Sequence, residues 1–269
     1  MRAEIDRSRA MVPRGAHSVL SSRTLAASHR RLGEVLRPDL AVLDVGCGTG
    51  AISAGIAEVV GAEGRVVGVD ADESLIAEAR RSHCRAGLTF EVRDAYDLGF
   101  TGEFDVVTSS RVLQWLAKPR DALGELIAAS RPNGLVLVLD YNHEKVKFKP
   151  APPPAAARFY DAFLAWRSDA GMSNVIADCL EDWFREAGLD SVAVTPQHEV
   201  TRRGVADFDE RILLWAMVAE SRGAQMVADG YLTKAERALA EKQFRAWAKD
   251  SAAQQQHYLL CVEGIVPQR

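Results

Sequence analysis

The stretch Val42-Leu43-Asp44-Val45-Gly46-Cys47-Gly48-Thr49-Gly50 concentrates residue types that can do chemistry. An apolar β-type run, Ala41 to Val45, enters it, and a helix-spaced segment, Ala51 to Val60, leaves it. Glycines at such a strand-to-helix junction permit a tight turn and let a ligand lie against the backbone. The loop alone is ambiguous. Gly46, Gly48 and Ala51 also satisfy a loose dinucleotide fingerprint, and the glycines could serve the turn and nothing more.

Nearby carboxylates narrow the choice. Asp70 ends the next apolar run, Val66 to Val69, where an acidic side chain can accept hydrogen bonds from both hydroxyls of a ribose. Asp44 stands just before the glycines, where its charge would repel a pyrophosphate but attract an ammonium group. Asp94 follows the run Leu88 to Val92 and could accept from the exocyclic amine of an adenine. Adenine, ribose and a charged amino acid without phosphate describe S-adenosylmethionine.

The elements that must position these residues alternate through the first half. A polar, basic helical stretch, Leu25 to Leu36, stops at Arg37-Pro38. The spacing predicts helices over Ala51 to Val60, Ser74 to Ala86 and Pro119 to Ser130. Strands are predicted over Ala41 to Val45, Val66 to Val69, Leu88 to Val92, Phe104 to Thr108 and Leu135 to Leu139. Continuously apolar runs of this kind are buried on both faces, so a doubly wound α/β fold with a parallel sheet is expected. After the rigid connector Pro152-Pro153-Pro154 come aromatic-rich helices, with Ile176 to Ala187, Asp207 to Met226 and Thr233 to Ala248 as further helical segments. Ser191 to Thr195 and His257 to Val266 read as strands, and no internal repeat is visible.

Composition excludes several classes. The chain has 269 residues, 48% of them apolar and 26% charged, with a net charge of −4. Disordered, collagen-like and disulfide-scaffold proteins do not look like this, and an acidic balance argues against nucleic acid as a partner. No apolar run reaches the roughly 20 residues of a membrane-spanning helix, so no membrane partner is expected. Cys47, Cys84, Cys179 and Cys261 are scattered and form no C-x-x-C pair, and no secretory signal is visible over residues 1–14. A cytoplasmic location follows as an expectation. Val12-Pro13-Arg14-Gly15 looks somewhat like a protease-cleavage linker but reads as native sequence. His17, His29, His83, His198 and His257 lack metal-ligand spacing, and no metal is expected.

In order along the chain, VLDVGCGTG (42–50), VVGVD (66–70), EVRDAYDL (91–98), FDVVTSSRVLQWL (104–116) and RPNGLVLVLD (131–140) resemble a class I S-adenosylmethionine-dependent methyltransferase. The likeness is to the small-molecule, type 11 group that includes the ubiquinone/menaquinone C-methyltransferases, and it covers most of Val42 to Asp140. The resemblance implies that Asp44, Gly46, Cys47, Gly48 and Gly50 line the methionine moiety. It implies that Asp70 holds the ribose, with Ala71 also in the cofactor site, that Asp94 and Ala95 hold the adenine, and that Ser110, Arg111 and Val112 face the cofactor. Ser22-Arg23-Thr24 resembles an N-terminal lid helix whose arginine meets the cofactor's carboxylate, although Arg23 could equally be solvated. Many relatives carry a histidine near Gln114-Trp115. This chain has none, so that role cannot be carried over.

The resemblance further implies a Rossmann-like, seven-stranded sheet whose last strand is antiparallel and paired with the sixth. Residues 1–269 would form one methyltransferase domain, with lid helices in 1–37 and a cofactor core in 38–145. Helical insertions over 151–190 and 201–256 would cap the substrate, and 191–200 with 257–267 would form the final strand pair. The reaction would be direct displacement of the methyl group, from S-adenosylmethionine to oxygen, nitrogen or carbon of a small, aromatic or partly apolar molecule. S-adenosylhomocysteine would be the product, and the protein a monomer or homodimer. His143, just past the strand ending at Asp140, is the candidate general base, with a surface-loop histidine as the alternative. Tyr141 and Asn142 share its position and could touch the acceptor. Trp115 could offer an aromatic face to it or simply be packed. Phe159, Phe163, Trp166, Trp183, Phe184, Trp215 and Trp247 are mostly expected in the core.

Overall fold

The computed structural model describes residues 9–10 and 20–268. Residues 12–15, read above as native rather than linker, lie outside them, as do residues 1–8 and 11–19 of the lid region. Packing divides the chain into two compact units. The sheet unit comprises residues 20–141, Ile176–Gln197 and 259–268, and the inserted unit comprises Arg9 and Ala10, Asn142–Val175 and His198–Tyr258. The sequence groups 151–190 as one insertion, whereas Ile176–Gln197 packs with the sheet.

In the sheet unit the parallel ladder is built from β1 (Ala41–Val45), β2 (Arg65–Asp70), β3 (Leu88–Val92), β4 (Phe104–Ser110) and the first part of β5 (Ser130–Lys149). β1 lies between β2 and β4, all parallel, with Asp44 level with Gly68 and Thr108. β3 adds outside β2, and β5 outside β4. The strands β6 (Asp190–Pro196), β7 (Glu199–Arg202) and β8 (Gln254–Ile265) complete the order β3-β2-β1-β4-β5-β8-β6, with β7 paired to β8. The expected antiparallel last pair is present as β6 and β8, Val194 opposite Val262. Seven strands were expected, and eight are found among the described residues. The additional one is β7, whose four residues include a single apolar one, Val200, and so give no apolar run to read as a strand.

Successive strand residues supply opposite faces of the sheet. On one, Val42, Val66, Val106 and Leu137 pack with Leu25 of α1 (Leu25–Ser28), Leu32 of α2 (Arg30–Val35), Ile56 and Val60 of α3 (Ala51–Val60) and Ile76 of α4 (Glu73–Ser82). On the other, Leu43, Val67, Val107 and Val136 pack with Leu123 and Leu126 of α5 (Pro119–Ala129) and Leu180 and Phe184 of α7 (Ile176–Glu186). Each such side chain contributes about 1.5–3 kcal/mol of transfer free energy. The helix predicted over Leu25 to Leu36 is broken at His29, which leaves helical geometry at φ −144° and caps α2 by accepting from the Leu32 N–H.

The inserted unit holds α6 (Pro154–Asp169), α8 (Phe208–Arg211), α9 (Leu214–Ala228) and α10 (Lys234–Asp250). Pro154 suits the first turn of α6, where no intrahelical N–H partner is needed. Thr233 and Glu236 form a reciprocal capping box that starts α10. The long helix predicted over Asp207 to Met226 is interrupted after Arg211, where the Leu213 N–H bonds only three residues back, to Glu210. Phe159, Phe163, Trp166, Trp215 and Trp247 are buried as expected, as is Phe184 in the sheet unit, while Trp183 is only partly so. Among the described residues no helix is long and apolar enough to cross a membrane.

Candidate functional site

The glycine loop begins where β1 ends. Gly46 and Cys47 both donate their N–H to the carbonyl of Val69, which draws the loop across the end of β2. Gly46 has φ +75°, and a Cβ there would lie 2.2 Å from Val112 Cγ2, so both the conformation and the space demand glycine. Gly48 then turns its N–H onto Asp70 Oδ2 at 2.9 Å, while Asp70 Oδ1 accepts from the Asp72 N–H at 3.0 Å. Asp72 caps α4 by accepting from the Ser74 N–H at 2.8 Å. The Asp70 carboxylate is thus oriented by backbone on both sides. It is only half-buried and, with about four acceptor positions, keeps capacity for two further donors.

Asp44 lies deeper, 2% exposed. Its Oδ2 accepts from Ser53 Oγ at 2.6 Å. Burial and then the charge of Asp70 push its carboxyl up, Ser53 pulls it down, and the balance is a pKa of about 6. Burial also raises Asp70. Two carboxylates beside one glycine loop make a site that repels phosphate and favours a cation. Cys47 has its thiol pushed well above the ordinary range by burial and by both aspartates, so it is no nucleophile.

At the end of β4, Arg111 is buried in the left-handed region at φ +63°. Its guanidinium donates to Tyr141 Oη at 3.0 Å, Ser110 Oγ at 2.8 Å and the Ser28 carbonyl at 3.1 Å. It therefore ties α1, β4 and β5 together. The Asp94 carboxylate accepts from the Tyr96 N–H at 3.0 Å, which holds its own turn, and Ala95 lies half-buried beside it. Ala71 is exposed, and Arg23 is half-buried in the segment before α1. Trp115 is half-buried in a single 3-10 turn, Leu113–Trp115, which Asp140 anchors by accepting from the Gln114 N–H at 3.1 Å.

The sheet unit thus gathers Asp44, the glycines, Asp70, Ser110, Arg111 and Tyr141 at the carboxyl ends of neighbouring strands, where open α/β sheets bind ligands. Sequence reading missed Ser53, whose spacing one turn into α3 was its only signal. It also missed His29. His29 is buried between Leu32 N–H and Thr108 Oγ1, and burial with the nearby Arg111 charge lowers its pKa to about 3.

Asn142 and His143 belong to the inserted unit. Asn142 Oδ1 accepts from the Glu144 and Lys145 N–H groups at 2.9 and 3.2 Å. His143 is not a surface-loop residue. It is 5% exposed, packed edge-on against Phe163 and Trp215, and its backbone N–H donates to the Asn174 carbonyl at 2.7 Å. The strand β5 continues past Asp140 and carries the histidine inward. Burial first, then the charges of Arg167 and His257, lower its pKa well below 6.5.

A family model described as a methyltransferase domain matches residues 36–187. A demethylmenaquinone methyltransferase of Lactococcus lactis is 26% identical over 205 residues, 71% of this chain and 79% of that protein. A ubiquinone biosynthesis O-methyltransferase of Cereibacter sphaeroides is 34% identical over 156 residues, 57% of this chain and 61% of the relative. The chain spans less than two thirds of that relative, and only 30% of a 37.1 kDa Streptomyces fradiae transposon protein that it also matches. Among solved structures, a Haemonchus contortus phosphoethanolamine N-methyltransferase crystallised with S-adenosylhomocysteine superposes with a TM-score of 0.56. It is 18% identical, over 90% of this chain and 53% of that one, a likeness of fold.

Proposed function

The chain belongs to the methyltransferase-domain family, and on that premise we propose that it transfers a methyl group from S-adenosylmethionine to oxygen, nitrogen or carbon of a small molecule. The observation that carries the reading is the Asp70 carboxylate, aimed by the Gly48 and Asp72 N–H groups at the end of β2. An acid so placed accepts from a ribose. Asp44, held by Ser53 and raised by burial, suits an ammonium group that would restore its charged form. The two carboxylates disfavour the pyrophosphate of a dinucleotide, which is the rival ligand for such a loop.

The bound cofactor supplies a methyl group activated on a sulfonium. The chain's own residues have three tasks: to fix the ribose through Asp70, to neutralise the amino group through Asp44, and to exclude water. Alignment of the reacting atoms is worth several kcal/mol when well set, about 7–11 in favourable intramolecular cases. A base is needed only where the acceptor atom carries a proton. His143 is the candidate, and its burial, which lowers its affinity for a proton, makes it a weak base. The acceptor class is a small, aromatic or partly apolar molecule. The quinone-pathway names of the relatives support that class and do not fix the acceptor atom.

The test is calorimetric titration of the purified protein with S-adenosylhomocysteine and, separately, NAD. Micromolar binding of the former alone is expected. Binding of NAD alone would overturn the roles given to Asp44 and Asp70.

A further inference from the structure

The inserted unit encloses a cavity of its own, about 370 Å³, lined by residues of that unit alone. The volume falls within the range of small-molecule sites. Five aromatic rings form much of its wall: Phe148, Phe159, Tyr160, Trp215 and Phe244. Four of them are locked edge to face, with Tyr160 and Trp215 at 4.6 Å and Phe148 and Phe244 at 6.1 Å between centroids. The polar ends of two of them are already used. Tyr160 Oη donates to the His143 carbonyl at 2.6 Å, and Trp215 Nε1 donates to His257 Nε2 at 3.2 Å. What these rings offer a ligand is therefore π surface.

The charge of the lining is one-sided. Among the described residues, Glu144 and Asp161 are the only ionisable acids in it, and no lysine, arginine or histidine shares the wall. Both acids are exposed, so they stand in water at the rim while the aromatic surface lies within. Carboxylates at the mouth and ring faces inside both attract a cation, and the ring quadrupole does so best where water is excluded. The apolar alanines and Leu164 between the rings accept a flat hydrocarbon body.

We propose that this cavity binds an organic cation: an aromatic or apolar body bearing a protonated or quaternary amine. The inference rests on the inserted unit by itself and not on methyl transfer, so its test is run without S-adenosylmethionine.

The probes are (2-naphthylmethyl)trimethylammonium and its neutral isostere 2-neopentylnaphthalene, each titrated into the full-length protein. The cation is expected to bind at least about tenfold more tightly than the isostere. The double variant Glu144→Gln/Asp161→Asn changes two exposed residues. It should bring that preference below about threefold while leaving the isostere's affinity unchanged. Ala157→Trp, which fills the cavity, should abolish binding of both, with the melting temperature reporting that the fold survives. Equal affinity for the two probes, no binding of either, or an undiminished preference in the double variant would each overturn the proposal. So would binding retained by a folded Ala157→Trp.

Discussion

Ser53 donates its hydroxyl hydrogen to Asp44 across 2.6 Å, joining the first turn of α3 to the last buried carboxylate of β1. The bond is of the short, charge-assisted kind. It opposes burial and the charge of Asp70, and leaves a carboxyl that titrates near 6 rather than at its ordinary 3.8. An ammonium ligand binds the ionised form. Affinity for S-adenosylhomocysteine should therefore hold above about pH 6.5 and fall as pH drops through 6. At pH 5 it should be about tenfold weaker than at pH 7.5, as one linked proton requires. Calorimetry at the two values checks this. In Asp44→Asn the affinity should be low and flat across the range, and a flat wild-type profile would remove Asp44 from the ligand's amino group.

Asp70→Ala removes two acceptors for a ribose. With about 1.5–3 kcal/mol for each charge-assisted bond, the dissociation constant for S-adenosylhomocysteine should rise at least about 100-fold. The fold should persist, since the loss falls on loop N–H groups, chiefly those of Gly48 and Asp72, and not on the strand ladder. Circular dichroism and calorimetry on the same sample separate the two effects. Unchanged affinity in a folded variant would refute the ribose assignment.

Gly46→Ala meets two obstacles, a φ of +75° and Val112 Cγ2 at 2.2 Å from the new carbon. A loss of about 1–3 kcal/mol in urea unfolding is expected. Val112→Ala in the same chain should recover part of that loss, because it relieves the clash but not the backbone strain. A double variant no better than the sum of the singles would place the whole cost in the backbone.

His29 is held neutral in the fold, with its pKa lowered from 6.5 to about 3. The unfolded chain takes up a proton below 6.5 and the folded one does not. His29 therefore costs stability as pH falls from 6.5 toward 3, by up to about 1.4 kcal/mol per pH unit. His29→Asn keeps an acceptor for the Leu32 N–H and removes the titration. Unfolding at pH 6.5 and at pH 4.5 should show the wild type losing roughly 2 kcal/mol more than the variant over that interval. Parallel losses would show that His29 is protonated in the folded protein.

His143→Ala should lower turnover by at least about tenfold with the S-adenosylhomocysteine affinity unchanged, if the histidine accepts the acceptor's proton. Turnover that stays the same across pH assigns the ring to packing against Phe163 and Trp215.

Much of the sheet unit was legible because its strands are continuously apolar and end in a carboxylate or glycines. The spans Ala41–Val45, Leu88–Val92 and Ala51–Val60 appear as read. Where sequence fell short, the cause is local. His29 breaks a helix because its ring supplies a cap, and composition does not announce that. β5 runs on past Leu139 to Lys149, and its signal was present in Lys145-Val146-Lys147-Phe148-Lys149, where exposed lysines alternate with half-buried Val146 and Phe148. The carboxylates of the site were found from their positions after strands. Ser53 was not, since a serine in an amphipathic helix looks like any other small residue. The surface-loop alternative for His143 came from its polar neighbours in sequence, and its burial comes from aromatic residues remote in the chain.

The place of β8 between β5 and β6 sets an order on how the protein can be made. Among the described residues β6 has β8 as its one neighbour in that sheet, and more than fifty residues of the inserted unit are synthesised between them. During translation β6 must therefore leave the ribosome with its backbone donors and acceptors open to water or to other chains. It stays so until Ala193 to Pro196 meet Leu260 to Glu263. The interval is one in which an unpaired edge is vulnerable to misassembly. A ribosome stalled before residue 260 would hold a parallel ladder whose final antiparallel pair had not yet been written.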